Sequence, residues 1–229
     1  MDAHRRDHTV IDILRICPAV KSERPETGDI LWYIENQNFS TSGVFAMKIV
    51  AVLGSPRPQG NSTTLAHAFL TAAREKGAET QEFLLNQMNF KCCQACMACK
   101  TKSQTCVLED DLPPVLEAVR DADILVLASP VYFGDLSAQM KAFFDRTYSC
   151  INPDFSCRLP AGKKAVIILA QANPDPKEFE DIFPRYERWL KHYRFDGIRL
   201  LRATGVAGPG EVSQQLKDQA AALARELVG

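Results

Sequence analysis

Four cysteines at close spacing, Cys93-x2-Cys96-x2-Cys99-x6-Cys106, carry the most pointed chemistry in this 229-residue chain. Thiolate-rich sites favour zinc or iron–sulfur clusters. Three thiolates two residues apart can reach three corners of one [4Fe–4S] cube, and a further cysteine can take the fourth. Here that further cysteine is followed by Val107 rather than proline. This departs from the two-cluster ferredoxin run and points to a single cluster on all four sulfurs. Structural zinc more often uses two separated C-x2-C pairs, so zinc is the weaker reading. Free or redox-active thiols are the other alternative. Cys92 adjoins the motif out of register and reads as a packing residue; Cys17, Cys150 and Cys157 lack partner spacing and read as structural.

A second set of residues could hold an anion. Leu53 to Thr64 reads Leu-Gly-Ser-Pro-Arg-Pro-Gln-Gly-Asn-Ser-Thr-Thr. Such a loop ahead of a helix gathers free backbone N–H groups at the positive end of the helix dipole. Around Gly60, the side chains of Ser55, Asn61, Ser62 and Thr63 can donate further hydrogen bonds, and Arg57 offers a counter-charge. The loop has neither a Gly-Lys-Ser/Thr ending nor G-x-G-x-x-G, which argues against a nucleoside triphosphate and a dinucleotide pyrophosphate. A single terminal phosphate fits better. The competing reading is an ordinary strand–turn–helix corner capped by Asn61 or Ser62.

A third set, Pro130-Val131-Tyr132-Phe133-Gly134, offers aromatic surface for a flat ligand and a glycine where backbone can approach it closely. Aromatics after a strand could equally cover the core. Gln171–Asn173 is a weaker third loop. No residue is assigned as catalytic: His4, His8, His67 and His192 lie on the tail or on helix surfaces without a nucleophile nearby, so hydrolysis has no support.

The elements that would position these loops are legible in the apolar pattern. Lys48–Leu53 and Ile124–Ser129 are short apolar runs suited to strands buried on both faces, as is Ala165–Ala170. Thr80–Leu85 and Ile198–Ala203 complete five strands, the last carrying two arginines that suit a sheet edge. Leu65, Ala68, Phe69, Ala72 and Ala73 stripe the first helix, which ends near Gly77. A second helix follows Asp110 or Asp111 as its cap, with Pro113 in its first turn. Leu136, Met140, Phe143 and Phe144 mark a third, Phe179, Ile182, Phe183, Tyr186 and Leu190 a fourth, and Leu216, Ala220, Leu223 and Leu227 a last. Alternating strands and helices give an α/β fold, a three-layer α/β/α sandwich around a five-stranded parallel sheet. The flavodoxin-like order 2-1-3-4-5 fits best, and it places the three loops together outside the carboxyl ends of the strands.

The phosphate loop Gly-Ser-Pro-Arg-Pro-Gln-Gly-Asn-Ser and the motif Ser129-Pro130-Val131-Tyr132-Phe133-Gly134 resemble the NAD(P)H-dependent FMN reductase and flavodoxin-like superfamily. The cysteine run resembles its iron–sulfur flavoprotein branch. The resemblance covers Met47 to Gly229. It implies FMN, with its phosphate on Ser55, Arg57, Gly60, Asn61, Ser62 and Thr63 and its ring against Pro130–Gly134. It also implies a [4Fe–4S] cluster on Cys93, Cys96, Cys99 and Cys106.

Composition sets the remaining bounds. A net charge of −1 gives no broad attraction to nucleic acid or to an anionic membrane, and no apolar run is long enough to span a bilayer. Eight cysteines without a secretion signal suit metal or redox use in the cytoplasm rather than a disulfide framework. Residues 1–46 show no sustained period and read as an N-terminal extension of no assigned function. Residues 47–229 read as one FMN-binding domain with the cysteine loop at 92–106. The expected function is an iron–sulfur flavoprotein that moves electrons between its cluster and FMN, fed by a ferredoxin-like donor or NAD(P)H and serving a small-molecule acceptor. The alternatives are an NAD(P)H-dependent FMN or quinone reductase without a cluster, and a non-catalytic flavin- or metal-binding regulatory module. Tyr186, Trp189 and Tyr193 suggest an apolar helix face and a homodimer.

Overall fold

The computed structural model describes residues 46–229. The expected N-terminal extension, with His4, His8 and Cys17, lies outside them apart from Ala46. Six strands are present: β1 (Lys48–Leu53), β2 (Glu79–Leu84), β3 (Ile124–Tyr132), β4 (Asp135–Leu136), β5 (Lys163–Ala170) and β6 (Phe195–Ala203). The helices are α1 (Asn61–Glu75), α2 (Ala98–Thr101), α3 (Pro113–Asp121), α4 (Ala138–Arg146), α5 (Ile182–His192) and α6 (Gln214–Val228).

The sheet order is β2-β1-β3-β5-β6, with every pair parallel. Leaving out the two-residue β4, which pairs antiparallel with β3, this is the expected order 2-1-3-4-5. β6 is an edge strand, as its two arginines suggest. Each long strand is apolar because it is covered twice, and its side chains alternate between two cores. Val50, Val52, Leu125, Leu127, Ala165, Ile167 and Leu169 face one core with α3, α4 and α5. Ile49, Ala51, Leu53, Val126, Ala128, Val166 and Ile168 face the other, with α1 and α6. Each fully buried Leu, Ile or Phe contributes about 1.5–3 kcal/mol of burial free energy, so the two faces jointly specify the register.

Parallel strands place every βα connection on one edge of the sheet, so the loops after β1, β2, β3, β5 and β6 share the carboxyl-end rim. Helix α1 ends as the sequence indicates: Gly77 takes φ +85° and its N–H donates to the Arg74 carbonyl. Three expectations are corrected. β3 runs past Ser129 through Tyr132, because β4 turns back to pair with its end. β6 begins at Phe195, three residues before Ile198, alongside β5 from Lys163. Neither Asp110 nor Asp111 caps α3, whose N-cap is Leu112 with no side-chain bond and Pro in the first turn. The two aspartates serve the cysteine loop instead.

Candidate functional site

The β1–α1 corner is built around an uncapped helix. Gly60 occupies the N-cap position, no side chain caps the first turn, and Ser55, Asn61, Ser62 and Thr63 are all buried. The Ser62 hydroxyl has no hydrogen-bond partner among the described residues although it is buried. A buried, unpaired hydroxyl beside free N–H groups on a helix N-terminus marks a place where an anion belongs. Glycine is required at position 60 because Ser55 packs directly against it: a Cβ there would stand 2.3 Å from the Ser55 hydroxyl. Ser55 also accepts the Arg57 N–H at 3.1 Å, which fixes the turn.

Asn61 has a different task from the one its position suggests. Its Nδ2 donates to the carbonyls of Gly208 at 2.8 Å and Val206 at 3.4 Å, and its Oδ1 accepts the Glu211 N–H at 3.1 Å. The side chain therefore anchors the loop after β6, and its backbone N–H remains for a ligand. Arg57 is exposed and donates from Nη1 to the Ala207 carbonyl at 3.4 Å, a second tie to the same loop. This 206–211 wall was not found from the sequence, because no motif links it to the phosphate loop.

The second loop is a hairpin. Val131 pairs with Leu136 and Tyr132 with Asp135, so Phe133 and Gly134 form a two-residue turn. Both have positive φ, +49° and +79°, the pattern of a type I′ turn. Phenylalanine is uncommon there, and this one is fully exposed, with Tyr132 exposed beside it. Backbone strain spent on displaying an aromatic ring fits a ligand surface better than core cover. The turn is held from α5: Arg185 donates to Asp135 at 2.9 Å and to the Gly134 carbonyl, and the Tyr186 hydroxyl donates to Asp135 at 2.9 Å. Burial would raise the Asp135 carboxyl, but the Leu136 N–H, Tyr186 and Arg185 together hold it below its ordinary range. Burial and the Asp135 charge push the Tyr186 phenol above its own.

In the third loop Gln171 is buried and donates to the Asn173 and Asp175 carbonyls, while its Oε1 has no partner among the described residues. Pro130 and Val131 are half-buried at the end of β3, next to β5. The loops are also linked to one another. Asn86 donates to the Pro56 carbonyl at 3.3 Å and accepts from Gln139 at 3.1 Å, joining the connections after β1 and β2 to α4.

The cysteine loop has a closed neck. The Asn89 N–H donates to Asp111 at 2.6 Å, the Lys91 and Leu112 N–H groups donate to Asp110 at 3.1 Å, and the Asp111 N–H returns to the Asn89 carbonyl. Inside it Ala95 and Met97 take positive φ, +50° and +57°, which bends the chain twice within five residues. Cys93, Cys96, Cys99 and Cys106 consequently line one pocket, with Arg146, Tyr148 and Ser149 on its far wall. Cys92 is exposed and outside that lining, so it is not the packing residue expected. Cys150 is buried, and Cys157 accepts the Leu159 N–H at its Sγ, in keeping with structural roles. Among the described residues no three Cys, His, Asp or Glu side chains converge on a point that could hold a single metal ion. A mononuclear zinc site needs four donors at about 2.0–2.3 Å from one centre. A four-iron cube takes one thiolate at each corner, so its ligands need a shared cavity rather than a shared point.

Cations surround this pocket. Arg158 donates from Nη1 to the Cys99, Gln104 and Ser149 carbonyls at 2.8–2.9 Å. Lys100 donates to the Tyr148 carbonyl at 2.5 Å and to that of Ile151, with its ammonium 3.7 Å from the Tyr148 ring centre. Arg146 is buried and donates from Nε to the Cys106 sulfur at 3.1 Å. Burial pushes the Cys99 thiol up, opposed by Lys100 and Arg158 and reinforced by Cys106 and Cys96. Three cations pinning a loop of thiols suit a group of net negative charge.

The helix face expected to pair subunits is mostly interior. Tyr186 and Tyr193 are buried, Tyr193 sharing a 2.9 Å hydroxyl bond with Thr147, and Trp189 alone of the three is exposed. Together with Phe144, Tyr148 and Phe155 they line a pocket of about 390 Å³.

Known proteins share part of this sequence and the fold. Residues 47–173 match the family of NADPH-dependent FMN reductases. An iron–sulfur flavoprotein of Methanocaldococcus jannaschii is 41% identical over 101 residues, 44% of this chain and 52% of the relative. One from Methanosarcina thermophila is 36% identical over 116 residues, 51% of this chain and 60% of the relative. The match thus spans about half the length of these curated relatives. Among solved structures, an FMN-dependent NADH-azoreductase from Bacillus anthracis in complex with FMN superimposes with a TM-score of 0.64 at 15% identity, covering 80% of this chain and 100% of that one. An NAD(P)H:quinone oxidoreductase from Methanothermobacter marburgensis gives 0.61 at 18% identity, covering 80% and 96%. At those identities the superpositions establish the fold.

Proposed function

We propose, from the premise that the chain belongs to the NADPH-dependent FMN reductase family, that it is an FMN-dependent oxidoreductase in which Cys93, Cys96, Cys99 and Cys106 hold a [4Fe–4S] cluster that exchanges electrons with the flavin. The observation that carries this reading is the single pocket lined by all four cysteines, on the same rim of the sheet as the loops suited to FMN. When bound, the flavin supplies one- and two-electron chemistry and the cluster one-electron exchange.

The chain's own residues bind, orient and shield. The first-turn N–H groups of α1 and the Ser62 hydroxyl would receive the phosphate, beside Ser55, which packs against Gly60. Asn61 and Arg57 hold the 206–211 loop as the wall of that site. The raised Phe133–Gly134 turn offers an aromatic face to the ring, and Gln171 Oε1 is an acceptor awaiting a donor. Arg146, Arg158 and Lys100 offset the negative charge of a thiolate-bound cluster. No side chain is required as acid or base.

The donor in this reading is NAD(P)H or a ferredoxin-like protein, and the acceptor is a small molecule. Seven free cysteines among the described residues favour the reducing cytoplasm. No helix among the described residues is long and apolar enough to cross a membrane. A homo-oligomer on this helix would have only Trp189 left to cover, since Tyr186 and Tyr193 are already buried. A second reading, an NAD(P)H-dependent FMN or quinone reductase whose cysteines remain thiols, is favoured by the exposure of Cys93 and Cys96.

Air-excluded rapid mixing tests the function directly. Bleaching of the flavin band by NADH or NADPH supports the pyridine nucleotide as donor. Bleaching only by a reduced ferredoxin supports the iron–sulfur donor. A flavin that neither reduces would overturn the assignment as an oxidoreductase.

A further inference from the structure

Arg146 is the most deeply buried charge among the described residues, and of the three cations beside the cysteine loop it is the one bonded to a sulfur. It closes α4, yet its side chain is fully inaccessible and that of Asp110 nearly so, at 0% and 8% exposure. Four of the five guanidinium N–H groups are committed. Nη1 donates to Asp110 Oδ2 at 2.8 Å and to the Lys91 carbonyl at 2.7 Å, Nη2 donates to Asp110 Oδ1 at 3.1 Å, and Nε donates to Cys106 Sγ at 3.1 Å. A bidentate carboxylate fixes the plane of the guanidinium, and that plane aims the remaining N–H at sulfur. An ordinary core ion pair needs no thiol at its edge, and burying one costs desolvation that apolar residues would avoid.

We infer that Arg146 is a positioning and tuning residue: its Nε–H bond to Cys106 sets the reduction potential of the cluster, and Asp110 sets how strongly Arg146 acts. The inference rests on the iron–sulfur reading above. Hydrogen bonds to the ligating sulfurs, net charge and solvent exposure are the protein's levers on such potentials. Reduction adds negative charge to the site, so a buried cation bonded to one sulfur stabilises the reduced form and raises the potential. The Asp110 carboxylate lies on the far side of the same guanidinium and partly cancels it. The two residues therefore act with opposite sign, a pattern that a merely structural ion pair does not produce.

The test uses the full-length holoprotein purified without air, with iron and acid-labile sulfide measured beside the midpoint potential of the cluster. Arg146→Met removes the cation and the sulfur bond; the potential is expected to fall by at least the equivalent of a tenfold loss in the one-electron equilibrium, about 59 mV. Asp110→Asn removes the opposing charge, and the potential is expected to rise. Should Arg146→Met fail to accumulate, Asp110→Asn alone carries the sign. Loaded variants whose potentials stay at the wild-type value, or move in the same direction, overturn the inference and leave the cluster assignment standing. Wild-type protein without iron overturns both, and the iron assay tells the two failures apart.

Discussion

Asn61 holds Gly208 across 147 residues of chain: the amide of one donates to the carbonyl of the other at 2.8 Å. With its bonds to Val206 and Glu211, this one side chain fixes the wall beside the first turn of α1. A residue that the motif presents as a phosphate ligand thus shapes the site through a neighbouring loop.

Asn61→Ala removes those three bonds while leaving the backbone N–H in place. Those bonds contribute about 3 kcal/mol at about 1 kcal/mol each; with about half of that felt by the ligand through a looser wall, FMN binding is expected to weaken about tenfold while the helix N-terminus stays. Titration of the apoprotein with FMN, followed by flavin fluorescence quenching, measures this. Unchanged affinity would detach the 206–211 loop from the site.

The cysteines divide sharply by position. Cys96→Ser is expected to lower iron per chain by at least half, since Cys96 lines the shared pocket. Cys92→Ser, one residue from the motif but exposed and outside that pocket, is expected to keep wild-type iron. Metal analysis of the two variants prepared side by side checks both. Equal losses would mean that the register of the motif does not select the ligands.

The buried pair makes stability acid-sensitive. Burial favours the neutral form of Asp110, but bonds from Arg146, Lys91 and Leu112 more than offset it and hold the carboxyl below its ordinary range. A carboxyl depressed in the folded state stabilises the protein above its unfolded pKa of about 3.9, and that stabilisation is lost as pH falls through the folded value. Denaturant melts at pH 7 should show Asp110→Asn less stable by about 3–5 kcal/mol, the usual cost of breaking a buried pair. As pH falls below about 3.9 the gap between variant and wild type should begin to narrow. A gap that is constant with pH would count against the ionised pair.

Much of this was legible in the sequence because the relevant signals are local. Apolar runs at Lys48–Leu53 and Ala165–Ala170 mark strands covered on both faces, and Gly77 marks a helix end by its backbone freedom. The gathering of Cys93, Cys96, Cys99 and Cys106 on one pocket follows from their spacing. What was missed is long-range. Arg146 follows Phe143 and Phe144 and looks like the solvated end of a helix; only its Asp110 partner, 36 residues away, explains its burial. Asp110 and Asp111 look like caps because acidic residues before a proline normally start a helix, whereas here the loop neck claims them. The apolar run ends at Ser129, yet β3 continues through Tyr132 because the hairpin after it supplies an antiparallel partner at its tip.

The central claim, one flavin and one cluster on a single domain, is tested most directly by assaying FMN, iron and acid-labile sulfide per chain in protein purified without air. The account predicts about one FMN, about four irons and about four sulfides, with an absorption band near that of free flavin overlaid by broad sulfur-to-iron absorption. One FMN with fewer than about two irons and no labile sulfide would contradict the cluster, and a preparation that takes up no FMN when it is supplied would contradict the account as a whole.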